Sequence, residues 1–361
     1  MHKNVMERRA AMRRPTITDL AREAEVSIST VDRVLNGRLP VHPQTASRVL
    51  AAADRIGFYA AGLIRQRLEA QAPARRLGFV LQQRSAPFYQ ALGAALREAV
   101  LACRTIRGQP VIEYLDDLTP AAVSDALRRI GGQTDALALV AADHAHVSRA
   151  IDELHEQAVP VFALLSDLTA PTRAGYAGLD SRKAGRFAGW AISRLARVPG
   201  PVAIMLGSHR YLGHELCELG YRSYFRETGT GGSGSSFKVL EALVSLEEPR
   251  LAYEATADLL RRTPDLVGLY VAGGGIEGVI GMLRDRIQGG ETGHLVTVCN
   301  ELTGVTRAAL IDGIVDVVIA HPLERIANDL VAAMIHSIGR PSPAAPVQVM
   351  LPFELYTPEN L

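Results

Sequence analysis

The chain has 361 residues, with 39 Lys+Arg against 38 Asp+Glu and a formal net charge of +1. That length exceeds one hydrophobic core and calls for two or three domains. No run of about 18 uncharged apolar residues occurs, so no membrane span is predicted. The near-zero charge hides a split. Residues 1–76 carry 14 basic against 7 acidic side chains, net +7, and the remainder carries 25 against 31, net −6. A basic small domain on an acidic body is the footprint of a protein that touches phosphate with one end.

The first 14 residues, MHKNVMERRAAMRR, hold four Arg and one Lys. They lack the roughly 7–15-residue apolar core of a secretory signal and are read as part of a flexible basic arm over 1–15, on a protein expected in the cytoplasm. Residues 16–38 carry the most information. Ile17, Leu20, Ala21 and Ala24 share one face of a short helix. Glu25-Val26-Ser27 breaks it, and the Ser27 hydroxyl is placed to cap the next helix. In that second helix Val31, Val34 and Leu35 face inward, leaving Ile28, Ser29, Asp32 and Arg33 outward, and Asn36-Gly37 ends it. Two short helices, the second polar-faced and Arg-bearing, fit the major groove of DNA as a helix–turn–helix. A third helix is predicted over 43–57, with Pro43 in its first turn and Val49, Leu50, Ala53 and Ile56 on its apolar side.

Here the sequence resembles the lactose-repressor (LacI/GalR) family of bacterial transcription regulators. The resemblance rests on Thr18-Asp19-Leu20-Ala21, Val26-Ser27, Thr30-Val31, Arg33-Val34-Leu35-Asn36-Gly37, Val49-Leu50 and Gly57-Phe58-Tyr59, and extends over nearly all of the chain. It implies that Ile28, Ser29 and Arg33 meet base edges, Arg33 being able to bond guanine bidentately. It implies that Ser27, Thr30, Asn36 and Thr45 hold phosphates. Two residues depart from the family pattern. Asp32 replaces the common Ser and would lie near the DNA backbone unless it pairs with Arg33 or Arg22. Glu25 replaces a Gly at a left-handed turn, at a cost on the order of 1 kcal/mol. Residues 61–69 match the family's hinge helix, with Leu68 at the position that wedges into the minor groove. That segment is too short to be helical alone and is expected to order on DNA.

A DNA-binding domain is read over 16–59 and a hinge helix and linker over 60–76, and residues 71–76 (QAPARR) read as the boundary to an effector-binding and dimerisation domain over 77–361. Beyond it apolar runs at 77–81, 111–115, 136–140, 161–165, 202–206, 266–271, 295–299 and 315–320 alternate with helical stretches such as 88–102, 120–131 and 145–158. A closing strand is read at 347–351. About ten strands in βα alternation mean parallel sheets with helices on both faces. The resemblance implies two lobes with a cleft, as in type I periplasmic sugar-binding proteins. The fold class is therefore a small all-α helix–turn–helix domain plus an α/β two-lobed periplasmic-binding-protein-like domain.

Ligands in such sheets bind beyond the carboxyl ends of strands. That rule and the resemblance pick out Phe88 and Tyr89 to pack on a sugar ring, Asp143 to take hydroxyl hydrogens, and Asn300, Glu301 and His321. Asp180 is placed near the lobe crossover. Cys217 stands where many relatives carry Arg, with His209, Arg210 or His214 as the replacement, and Arg210 is the choice. Gly273-Gly274-Gly275 lacks the Lys-Ser/Thr of a phosphate loop and reads as a close approach to ligand. Cys103, Cys217 and Cys299 suit neither a disulfide framework nor a metal site and are expected to be buried thiols.

The function these features imply is a repressor whose binding to a pseudo-palindromic operator is controlled by a sugar, polyol or sugar derivative. It needs no cofactor and acts as a homodimer, there being no leucine-rich heptad tail. A solute-binding protein for uptake would have no use for residues 16–70, and no catalytic constellation speaks for an enzyme.

Overall fold

The computed structural model describes residues 14–36, 41–228, 237–290, 293–340 and 345–361. Most of the expected basic arm, 1–13, and Gly37 lie outside them. The chain divides into two compact units, the first ending at Arg75 and also holding Cys103–Gly108.

The first unit is helical. Helix α1 (Ile17–Glu23) starts in a capping box in which Thr16 and Asp19 satisfy each other's backbone N–H. Helix α2 (Ile28–Asn36) is capped by Ser27, whose hydroxyl accepts from Thr30 N at 3.1 Å. Helix α3 (Pro43–Ile56) ends at Gly57 in the left-handed conformation, φ +63°. Helix α4 (Ala61–Gln71) follows and is formed without DNA, against the expectation for 61–69, because Ile64 is buried in the core of the unit and Arg65 bonds Asp54 of α3. Leu20, Val31, Val49, Phe58 and Ile64 meet in one core. Of the apolar side expected on α3, Val49 and Ala53 are buried and Leu50 and Ile56 half-buried. Glu25 stands at φ +51° in the α1–α2 turn, the strained position expected of it.

The second unit holds two sheets. In the first lobe strands β1 (Ala74–Gln82), β2 (Arg107–Leu115), β3 (Ala136–Leu139), β4 (Val161–Leu164) and β5 (Gly175–Leu179) are joined by a strand from near the chain's end, β12 (Val347–Leu351), in the order β2-β1-β3-β4-β5-β12. Helices α6 (Pro120–Gly131) and α7 (Ala145–Glu156) pack together on one face, and α5 (Pro87–Ala102) packs with α13 (Leu323–Ser337). The runs LGFVL and ALAL are buried throughout because helices cover both faces.

In the second lobe β6 (Pro201–Leu206), β7 (Lys238–Val239), β9 (Gly268–Val271), β10 (Val296–Asn300), β11 (Val317–Ala320) and β13 (Glu354–Tyr356) run in the order β7-β6-β9-β10-β11-β13, with β8 (Leu243–Val244) also on β6. Helices α8 (Ser181–Leu195) and α9 (Leu212–Thr228) share one core cluster with this sheet, and α10 (Pro249–Arg262), α11 (Ile276–Gln288) and α12 (Gly304–Ile311) share another.

Three details differ from expectation. Strand β13 runs antiparallel on β11, so the second sheet is not wholly parallel. Thirteen strands are present among the described residues, against about ten expected. Strand β5 escaped notice because GYAGL reads as a glycine-rich loop, yet its glycines make room for rings: a Cβ at Gly175 would stand 2.7 Å from Phe162 and one at Gly178 would stand 2.2 Å from the Tyr176 hydroxyl.

The chain passes between lobes three times, after β5, after β11 and after β12. Asp180 sits at the first passage and caps α8 by accepting from Lys183 N. His321 sits at the second. Phe353, at the third, packs on Phe187 of α8 with centroids 5.5 Å apart.

Candidate functional site

On the first unit, the outer face of α2 carries a hydrogen-bonded cluster. Ser27 Oγ lies 2.9 Å from Ser29 Oγ and 2.8 Å from Thr30 Oγ1. Arg33 folds back over them, donating from Nε to Ser29 O and from Nη2 to Thr30 Oγ1, both at 3.3 Å. Ile28 is 52% exposed beside them, an apolar side chain with nothing to cover it. Thr45 is half-buried in the first turn of α3. Asp32 pairs with neither Arg33 nor Arg22. Arg22 is held by Asp19 and Arg33 is turned toward Ser29, so the Asp32 carboxylate accepts from Asn36 Nδ2, one turn along, at 2.6 Å. On α4, Leu68 is half-buried against the core of the unit, and the exposed leucine is Leu63.

In the second unit a cleft of about 670 Å³ lies between the lobes. Its walls are the segments that follow the carboxyl ends of the strands, where such sheets bind ligands. From the first lobe come Gln82 at the end of β1 and Gln83 after it, Phe88 and Tyr89 at the start of α5, and Asp116 after β2. From the second come Tyr211, His214 and Cys217 after β6, Glu247 after β8, and Gly273-Gly274-Gly275 after β9. Asn300 and Glu301 follow β10, and His321 follows β11.

Several of these side chains are fixed by neighbours. Gln82 Oε1 accepts from the Tyr89 hydroxyl at 3.1 Å, and its Nε2 donates to the Tyr211 hydroxyl at 2.9 Å and Val140 O at 3.1 Å. Asn300 accepts from the Tyr270 hydroxyl and donates to Ala272 O, both at 3.0 Å. His321 Nδ1 meets Glu301 Oε1 at 2.5 Å, while its Nε2 is buried with no hydrogen-bond partner. The Phe88 ring lies 6.2 Å from the His321 ring. Glu247 Oε2 accepts from Gly274 N at 2.9 Å, and its Oε1 is buried and unpartnered. Burial pushes the Glu247 carboxyl up to about 7, the Gly274 N–H opposing, and holds the His214 imidazole down to about 4. Burial likewise pushes the Cys217 thiol up to about 11, so it stays protonated.

Phe88, Tyr89, Asn300, Glu301 and His321 are thus gathered in one chamber. Asp143 and Arg210 are not, and the expectation for both is corrected. The Asp143 carboxylate is occupied by Thr169, from N at 2.9 Å and from Oγ1 at 2.8 Å. Its N–H donates to Arg210 O at 2.8 Å, so the pair bridges the lobes through backbone while the Arg210 side chain is exposed. His209 points at Glu218 instead of the cleft. Glu247, Tyr211 and Gln82 went unnoticed in the sequence. Cys103 is only half-buried, unlike Cys217 and Cys299.

The loop before α9 and the helix's first turn latch onto the first lobe at three points: Arg210 O with Asp143 N, the Tyr211 hydroxyl with Gln82, and Gly213 N with Ser166 Oγ at 3.1 Å. Four of the seven non-glycine residues at positive φ among those described line the cleft, namely Gln83, Leu165, Glu247 and Glu301. Strain of this kind collects where function over-determines the backbone.

A family model of the periplasmic binding protein domain matches residues 77–339, and a model of bacterial regulatory proteins of the lacI family matches residues 16–60. The chain belongs to the periplasmic binding protein domain family over most of its length and carries a lacI-family regulatory segment ahead of that domain. Among curated relatives, an HTH-type transcriptional regulator in the aml 5′ region of Streptomyces limosus is 27% identical over 242 residues, covering 64% of each chain. The maltose regulon regulatory protein MalI of Escherichia coli K12 is 39% identical over 99 residues, covering 26% of this chain and 27% of MalI. The matched stretches therefore span under two thirds of either relative. Among solved structures, an ABC-transporter solute-binding protein from Agrobacterium vitis, bound with α-D-tagatopyranose, is 18% identical with a TM-score of 0.69. It covers 79% of this chain and 95% of that one, and the likeness shows the two-lobed fold. No helix among the described residues is long and apolar enough to cross a membrane.

Proposed function

We propose that this lacI-family protein is a ligand-responsive, sequence-specific DNA-binding repressor that works in the cytoplasm as a homodimer. One observation carries the reading: a capped recognition helix with an exposed polar face and an enclosed inter-lobe cleft stand on the same chain. Ile28, Ser29 and Arg33 read base edges, and Ser27, Thr30, Asn36 and Thr45 hold phosphates. Leu68 enters the minor groove when two hinge helices pair over the operator centre, which requires it to leave the core it rests on. A two-fold dimer implies a pseudo-palindromic site.

The effector is a sugar, polyol or sugar derivative held by Phe88, Tyr89, Asn300, Glu301 and His321. Supporting this are the relatives named for a maltose regulon and solved with a sugar bound. Closure of the lobes on the ligand biases the pairing of the hinge helices, and a coupling of about 1–3 kcal/mol suffices.

The test is binding to duplex DNA selected from a random pool, followed as a function of salt. A steep fall in affinity with salt is expected, with a selected sequence preferred by about a thousandfold or more over random duplex. A protein that binds sugars but no duplex at low salt would instead be a solute-binding protein.

A further inference from the structure

Five carboxylates line the cleft, Asp116, Glu247, Glu248, Glu277 and Glu301, and no Lys or Arg does so among the described residues. Some of that charge is offset locally. Glu248 is the N-cap of α10 and Glu277 lies in the first turn of α11, where helix dipoles favour anions. Glu301 has His321 against it. Asp116 is exposed at the rim and accepts from Arg84 N. Glu247 has the Gly274 N–H on its Oε2 and no charged partner. No cationic side chain pairs with it, and the nearby His214 is held neutral by burial.

The backbone is built to keep Glu247 in place. A Cβ at Gly207 would stand 1.3 Å from its Oε1, and one at Gly274 would stand 2.1 Å from its Oε2, so the carboxylate occupies space that only glycines leave. Leu246 and Glu247 both take positive φ, +54° and +62°, to deliver it there. The result is a buried carboxylate oxygen with no hydrogen-bond partner, on a residue that lines the same chamber as Phe88 and Tyr89.

We infer that the effector carries a protonated amine on a polyhydroxylated frame, an amino sugar in chemical class, with its ammonium on Glu247 Oε1 and its ring against Phe88 and Tyr89. This rests on reading the cleft as the effector site. An ammonium supplies the donors that Glu247 Oε1 lacks and the charge the lining lacks. A carboxylate or phosphate on the ligand meets carboxylates with no counter-charge and is repelled.

The experiment is titration calorimetry of the full chain at pH 7 with two matched series: D-glucosamine, D-glucose and D-glucuronate, then D-galactosamine, D-galactose and D-galacturonate. The amine is expected to bind at least about tenfold tighter than its neutral partner in one series, with no heat from the uronates. In Glu247→Gln, which keeps the shape and removes the charge, the ratio is expected to fall to within about threefold. A neutral sugar that binds as tightly as its amine overturns the inference and leaves the effector-site reading standing. Silence from every member of both series overturns both. The wild-type ratio decides between these outcomes, whatever the variant's fold.

Discussion

His214 Nδ1 lies 3.9 Å from Glu247 Oε1, yet the two do not form an ion pair at neutral pH. Burial sets each independently, holding the imidazole down to about 4 and the carboxyl up to about 7. Both groups keep their neutral forms through the mildly acidic range. The distance suggests a salt bridge, but the charge states do not supply one.

Their contributions to stability have opposite signs. Glu247 has a folded pKa above its ordinary 4.5, so stability is lost as pH rises from about 4.5 to about 7. His214 has a folded pKa below its ordinary 6.5, so stability is lost as pH falls from about 6.5 to about 4. The two limbs largely cancel in the native chain. Glu247→Gln removes one of them. Its stability relative to the native chain should climb between pH 4.5 and 7, by on the order of 2–3 kcal/mol, and then level off. Urea unfolding at a series of pH values checks this, and a difference that does not vary with pH would sink it.

Glu25 holds the α1–α2 turn at φ +51°. Glu25→Gly removes the clash of Cβ with the backbone and raises the flexibility of the unfolded chain, so the net gain is below the full left-handed penalty. A stabilisation of about 0.5–1 kcal/mol is expected for the helical unit. Hydrogen exchange of the α1 and α2 amides reports it, and faster exchange in the variant would contradict it.

Arg33 leans on Ser29 O and Thr30 Oγ1 with bonds of 3.3 Å, long enough to release readily. If it reads a base, Arg33→Ala should weaken binding to the selected duplex by about 1–3 kcal/mol and leave random-sequence duplex nearly unchanged. An equal loss on both would make Arg33 a phosphate contact. Fluorescence anisotropy at matched salt separates the two results.

Thiol chemistry offers a check on burial. Cys103 is half-buried with its Sγ 3.2 Å from Thr105 Oγ1, whereas Cys217 and Cys299 are enclosed and their thiols pushed up by burial. An aromatic disulfide reagent should label Cys103 quickly and reach the other two only on unfolding. Rapid labelling of Cys217 in the folded protein would mean that the cleft opens widely.

The helical unit was legible in the sequence because caps, apolar spacing and the Arg-bearing face all lie within about twenty residues of one another. The cleft residues Phe88, Tyr89, Asn300, Glu301 and His321 were legible for a different reason: each follows a strand that announces itself as an apolar run. Glu247 was not, since it follows β8, a strand of only two residues, and SLEEPR looks like a surface turn before a helix. Its burial depends on glycines 40 residues upstream and 27 downstream that sequence spacing does not connect to it. Asp143 misled for a chemical reason. The carboxylate that would take a sugar hydroxyl takes the hydroxyl of Thr169 instead, and the two partners look alike from the sequence.

Neither lobe is a continuous piece of the chain. The first is begun by β1 and lacks its edge strand β12 and the covering helix α13 until residues 323–351 have been made. On the ribosome, therefore, the second lobe is synthesised as far as β11 while the first still shows the open edge of β5. No single truncation yields either lobe intact, and a cut at one of the three passages leaves the two lobes joined by the other two. Each lobe waits for an edge strand from the end of the chain, β12 for the first and then β13 for the second.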